Sequence, residues 1–198
     1  MLFRSVLGAA LLAACAGGAA PARLDGAVAE PPLSVGDQQL PDATTGAPIV
    51  FRADPGGLLA VYFGYTQCPD LCPTTMADLK VALGELDPDD ADRVVVALVT
   101  VDPERDTPAL LSAYVAGFFG EGRGRAVRTT DPAALARVEA AFLASSSVHR
   151  HDDTVEVSHS ATTSIVDDRG TVRVQWPFGT SARSMAHDLR ILLNQGEG

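Results

Sequence analysis

The stretch LLAVYFGYTQCPDLCPTTMADL, Leu58 to Leu79, decides how the rest of the chain is arranged. It opens with the apolar run Leu58 to Phe63, whose β-branched and aromatic content suits a strand buried on both faces. Gly64 breaks the run, and Tyr65-Thr66-Gln67 leads into Cys68-Pro69-Asp70-Leu71-Cys72-Pro73. Beyond Pro73, Met76, Leu79, Leu83 and Leu86 recur at helical steps. The spacing therefore predicts a helix starting near Pro73, where the missing N–H is not needed. Two cysteines fall in the turn between a central strand and that helix.

Thiol chemistry is favoured at such a place. The first amides of a helix are unpaired donors, and its N-terminal end carries partial positive charge. Thiols there have a lowered pKa, and the thiolate is the form that binds metal or attacks a disulfide. Across a three-residue spacer coiled into a turn, the two sulfurs face one side, with Cβ atoms roughly 5–6 Å apart. Two soft donors so placed suit an ion such as Cu(I). A small adjustment, to about 3.5–4.5 Å between Cβ atoms, allows a disulfide. A purely stabilising bridge or two buried core thiols are the alternatives. Closing so short a loop removes little chain entropy, which favours functional thiols.

Gly64 to Thr75, GYTQCPDLCPTT, closely resembles the signature of the Sco/SenC family, thioredoxin-like copper proteins that help assemble cytochrome c oxidase. Val101 to Pro108 (VDPERDTP) and His159-Ser160 extend the match, which covers about residues 40–195. Gln67 stands where the family frequently has histidine, and Leu71 where it commonly has valine. Neither change removes a ligand, although a histidine at 67 would offer an auxiliary donor.

The chain has 198 residues, 46% of them apolar, enough for one domain with a sizeable core. Its formal net charge is −10, so bulk charge does not direct it to nucleic acid or anionic lipid. Arg4 followed by the apolar run Val6 to Ala14 reads as a secretory signal, too short to span a bilayer. Leu12-Ala13-Ala14-Cys15 looks like a bacterial lipobox. That resemblance implies cleavage before Cys15, lipid on that cysteine, and a location at the outer face of the cytoplasmic membrane. A conventional signal cut near Ala20 is the alternative. With Cys15 in the anchor, Cys68 and Cys72 are left as an isolated pair in an exported protein.

The expected organisation is a signal peptide over 1–14, a lipidated cysteine and flexible tether over 15–39, and one domain over 40–196. Leu40 to Phe51 carries a Thr45-Gly46 turn and reads as a small hairpin. Val94 to Val101 is a second strand buried on both faces. It leads to Asp102 and then to Thr107-Pro108, an N-cap and first residue of a helix to about Phe119. Asp102, at the carboxyl end of a central strand, is expected beside the cysteine turn, where α/β sheets place their sites. Asp70 is the other acid expected near the sulfurs.

Val127 to Thr129 reads as a short strand and Asp131 to Ala144 as a helix. Ser145 to Asp153, with His149 and His151, reads as a polar surface loop; a weak surface metal site is the alternative, disfavoured because no rigid element fixes its ligands. Thr162 to Val166 and Thr171 to Trp176 make a β-hairpin, and Ser181 to Leu193 a final amphipathic helix with His187 exposed. This order of elements points to an α/β thioredoxin-like sandwich: a central mixed β-sheet flanked by helices, with an extra N-terminal β-hairpin.

In that order of elements the residues entering the last hairpin abut the cysteine turn. An imidazole at His159 facing two thiolates completes a three-ligand soft-metal site of Cys68, Cys72 and His159. Ser160 occupies the corner where thioredoxins carry a cis-proline, which counts against general disulfide exchange. The family resemblance implies a copper metallochaperone, holding Cu(I) and/or Cu(II) for cytochrome c oxidase subunit II or another exported copper protein. The rival reading is a thiol–disulfide oxidoreductase using Cys68 and Cys72 on an exported target. A peroxidase is disfavoured, because both cysteines lie near the helix start.

Overall fold

The structure, a computed structural model, describes residues 23–152 and 154–195. The expected signal over 1–14 and the anchor residue Cys15 lie outside the described residues. Two short strands, β1 (Gln39–Pro41) and β2 (Pro48–Val50), pair antiparallel around the expected turn. Next comes β3 (Leu58–Gly64), buried along its whole length. Its apolar run is continuous rather than alternating because both faces are covered. On one side β3 runs parallel to β4 (Val94–Thr100), and on the other antiparallel to β8 (Thr162–Val166). With β5 (Gly124–Val127) and β9 (Val172–Pro177) at the edges, the sheet order is β5-β4-β3-β8-β9.

Helices α1 (Leu71–Gly84), α3 (Pro108–Phe119), α4 (Pro132–Ala141) and α5 (Ala182–Gln195) flank this mixed sheet, and a short α2 (Pro88–Asp92) precedes β4. Helix α1 packs against both α3 and α5. Thr107 caps α3, its side chain accepting from Leu110 N–H, a bond worth about 1 kcal/mol. Asp131 caps α4 in the same way through Ala133 N–H. On α5, Met185, Leu189, Leu192 and Leu193 face inward as their spacing predicts, and His187 is exposed. The fold is the α/β thioredoxin-like sandwich expected, with its extra N-terminal hairpin.

The strand register places the site. Gly64 pairs with Thr100 and Tyr62 with Thr163, so the carboxyl ends of β3 and β4 and the start of β8 meet at one end of the sheet. Ligand sites of α/β sheets lie outside the carboxyl ends of their strands.

Four local expectations change. Helix α1 begins at Leu71, ahead of Pro73, which brings Cys72 inside its first turn. The strand expected at 127–129 is β5, shifted to Gly124–Val127 by its pairing with Val96 to Val99. Most of the stretch expected as a loop is strand: β6 (Ser146–His151) pairs with β7 (Thr154–His159) as a separate two-stranded sheet. Both strands alternate partly buried with exposed positions over much of their length, and so shallow a contrast gives little periodic signal. Finally, residues 25–36 are not a free tether. Ala27 bridges Gln175, Val35 N–H donates to Gly170 O (2.8 Å) and Val172 N–H to Leu33 O (2.9 Å). The segment thus covers the otherwise open edge of β9. At Gly26 a Cβ would lie 2.5 Å from both Trp176 and Val174, so only glycine allows this approach.

Candidate metal centre

Cys68 and Cys72 leave the end of β3 in a tight turn, with Cys68 N–H donating to Tyr65 O (3.3 Å). Cys72 N–H then donates to Cys68 Sγ (3.3 Å). The sulfur therefore accepts a bond that a polar cap would otherwise take, while Asp70, at the N-cap position, makes no side-chain cap bond and is exposed. Gly64 is required beside this pair. A Cβ there would lie 3.0 Å from Cys72 Sγ and 2.8 Å from Tyr62 Cε1.

The two thiols differ in acidity, where the helix start alone predicts both lowered. Burial pushes the Cys68 thiol up, but hydrogen bonds from Cys72, and from Asp70 and Leu71 N–H, outweigh it and bring its pKa below the ordinary value. Cys72 has no exposed surface, and burial pushes its thiol up to about 12, with the neighbouring Cys68 adding to the rise. Cys68 is therefore the more readily ionised thiol of the pair, and Cys72 the one held protonated.

His159 ends β7, and its Nε2 lies 3.6 Å from Cys72 Sγ. Its Nδ1 lies 3.2 Å from Ser160 O. A carbonyl only accepts, so the tautomer protonated on Nδ1 satisfies this bond and leaves the Nε2 lone pair facing the sulfur. Burial lowers the His159 pKa, which keeps the ring neutral and able to ligate. Tyr62 and Tyr65 hold the ring edge-on, each with centroids 5.8 Å away and planes near perpendicular. Ligand atoms of Cys68, Cys72 and His159 all lie within 4.8 Å of one another. The structure thus brings together the three residues expected to share a site.

Asp102 relates to the site differently from what was expected. It is fully buried, but its carboxylate accepts from Arg105 Nε and from Arg150 Nη2 (2.8 Å) rather than reaching the sulfurs. Arg105 carries the link onward, with its guanidinium 5.6 Å from the Tyr65 ring centre. The carboxylate that anchors the cysteine turn is Asp106. It accepts from Thr66 N–H (3.1 Å), Thr66 Oγ1 (2.6 Å) and Thr100 Oγ1 (2.6 Å), all without solvent exposure of its own. Asp106, Tyr62 and Tyr65 are absent from the residues singled out by sequence. For Asp106 the available signal is a second acid four positions after Asp102, directly before the N-cap. His149 and His151 lie on β6, opposite Glu156 and Thr154, and do not join the sulfur cluster.

The SCO1/SenC family model matches residues 37–194. The chain belongs to the SCO1/SenC family. Among SCO1/SenC relatives, SCO2-like protein RP587 of Rickettsia prowazekii is 29% identical over 141 residues, covering 69% of this chain and 67% of that protein. A shorter match, 41% identical over 64 residues, is to a Stutzerimonas stutzeri protein whose name assigns copper binding provisionally. It covers 30% of this chain and 31% of that protein, so the chain matches about a third of that relative's length. Of solved SCO1/SenC structures, apo Sco1 of Thermus thermophilus aligns with a TM-score of 0.67 at 29% identity, over 87% of this chain and 96% of that one. Bradyrhizobium japonicum ScoI with copper bound aligns with a TM-score of 0.63 at 28% identity, over 80% and 96%.

Proposed function

We propose that the protein is a copper metallochaperone whose cargo is held by the sulfurs of Cys68 and Cys72 and by Nε2 of His159. The convergence of those three donors within 4.8 Å carries the reading. Two thiolates and an imidazole are a soft set suited to Cu(I). The copper-bound relative from Bradyrhizobium supports copper as the metal. Three protein ligands leave room for an incoming donor, so the ion can be handed on rather than locked in. Cys68, at 8% exposure, is the outer sulfur and Cys72, at 0%, the inner one. Exchange would then begin at Cys68.

The acceptor we propose is the copper site of cytochrome c oxidase subunit II or of another exported copper protein. The lipobox-like Leu12 to Cys15 supports a location at the outer face of the cytoplasmic membrane, held by lipid on Cys15. The unequal thiols support a second reading, thiol–disulfide exchange initiated by Cys68.

The test is anaerobic loading with Cu(I), counting bound copper in wild type and in Cys68→Ser, Cys72→Ser and His159→Ala. Each variant should lose tight binding, while His159→Ala still turns over a model disulfide. Unchanged copper affinity in His159→Ala would overturn the chaperone reading and leave the redox one.

A further inference from the structure

We propose a second metal site, built by Asp25, His187 and Asp188 and suited to a divalent ion such as Zn²⁺ or Cu²⁺. Ligand atoms of these three residues lie within 4.8 Å of one another. His187 Nδ1 is 3.2 Å from Asp188 Oδ1 and 3.8 Å from Asp25 Oδ2. With metal–donor bonds of about 2.0–2.2 Å, donors around one ion lie about 3–3.6 Å apart, so little movement is needed.

Charge supplies an independent reason. Asp188 is fully buried, and its carboxylate accepts from Asp25 N–H (2.7 Å), Gly26 N–H (3.0 Å) and Trp176 Nε1–H (2.9 Å), with the ionisable ring of His187 at hydrogen-bond distance of Oδ1 (3.2 Å). Among the described residues no lysine or arginine pairs with it, and His187 is the one ionisable base in reach. Buried carboxylates are ordinarily paired with a cation or bound to a metal. An ion between Asp188 and His187 would take the place of the proton between Nδ1 and Oδ1 and bring a full positive charge to the buried carboxylate.

The site is open on one side. The side chains of His187 and Asp25 are 48% and 50% exposed, which admits an ion from solution and leaves room for waters to complete its shell. One imidazole and two carboxylates form a harder donor set than the sulfur cluster and favour Zn²⁺ or Cu²⁺ over Cu(I). The two sites would therefore separate ions by chemistry. An ion here would also pin the N-terminal segment to α5, because Asp25 comes from one and His187 and Asp188 from the other.

The full chain carrying Cys68→Ser and Cys72→Ser removes the sulfur site. Dialysis of it against Zn²⁺ alone should show one more bound zinc per chain than the same background with His187→Ala. Asp25→Asn, which leaves the backbone bonds to Asp188 in place, should weaken that zinc at least about tenfold. Cu²⁺ gives a local readout, because Trp176 is the only tryptophan in the chain and bonds directly to Asp188. Its quenching should need at least about ten times more Cu²⁺ once His187 is replaced. Equal zinc stoichiometry with and without His187, or unchanged zinc affinity in Asp25→Asn, overturns the site.

Discussion

His159 Nε2 lies 3.6 Å from Cys72 Sγ, although 87 residues separate the two in the chain. The sheet makes that meeting obligatory. The sulfurs leave the end of β3, His159 lies just before β8, and the antiparallel pairing of Tyr62 with Thr163 brings those ends together. Changes that disturb this corner should therefore be read in ligand geometry before they are read in fold.

The cysteines should react at different pH. In Cys72→Ser the remaining Cys68 should alkylate with iodoacetamide along a titration below the ordinary thiol range. In Cys68→Ser the remaining Cys72 should stay nearly inert until the solution is strongly alkaline, as expected for a thiol raised to about 12. Mass spectrometry of the alkylated sites measures this. Equal rates at pH 7 would contradict the assignment. Copper binding at neutral pH should accordingly release the Cys72 proton, so affinity rises with pH.

Stability of the metal-free protein should fall on both sides of neutrality. His159 has its folded pKa below the ordinary 6.5, so the unfolded chain takes up the proton first and stability drops as pH falls below about 6.5. Cys72 acts on the opposite side. Its thiol stays protonated in the fold while the unfolded chain ionises near 9.0, so its contribution is lost as pH rises from there toward about 12. Urea midpoints against pH measure both slopes. His159→Gln should flatten the acid limb and Cys72→Ala the alkaline limb.

Asp106→Ala should destabilise the protein by about 3 kcal/mol, because hydrogen bonds to a charged group contribute about 1.5–3 kcal/mol each and the freed donors are left unsatisfied. Thr66→Val removes a single one of those bonds, 2.6 Å long, and should cost about 1–2 kcal/mol. Both should weaken Cu(I) binding with every ligand still present. Chemical denaturation and a Cu(I) competition titration give the two numbers. A Thr66→Val protein with wild-type copper affinity would show that the clamp on the turn does not position the sulfurs.

Gly64→Ala places a methyl group 3.0 Å from Cys72 Sγ. Overpacking of this size costs about 1–3 kcal/mol. The sulfur should move away from the imidazole, so copper affinity should fall more than stability. The reverse ranking would place the strain in β3 rather than at the ligand.

Much of this arrangement is legible in sequence where burial is one-sided or complete. The unbroken runs at Leu58 to Phe63 and Val94 to Val101 identify the central strands, and Thr107-Pro108 marks the start of α3. The ligand set is legible because cysteine and histidine are scarce and their order fits the sheet. What escapes is interaction carried by backbone groups or by single buried acids. The segment 25–36 docks through main-chain bonds to β9, which leave no side-chain period to detect. Asp106 differs from an ordinary turn acid only in what surrounds it. Likewise the unequal acidity of Cys68 and Cys72 depends on how far each sulfur is sunk, which spacing does not report.

The imidazole and the sulfurs are mounted on parts of unequal rigidity. Cys68 and Cys72 follow the innermost strand of a five-stranded ladder, whereas His159 ends a two-stranded ribbon that shares no ladder with it. Isolated ribbons of that kind are only marginally stable in themselves. Swinging the ribbon outward would break the ion pair of Arg150 with Asp102 and strip one ligand from the proposed cargo, while the five-stranded sheet keeps its shape. Under the chaperone function proposed above, an acceptor that gripped the ribbon would trigger release with no need to loosen the core.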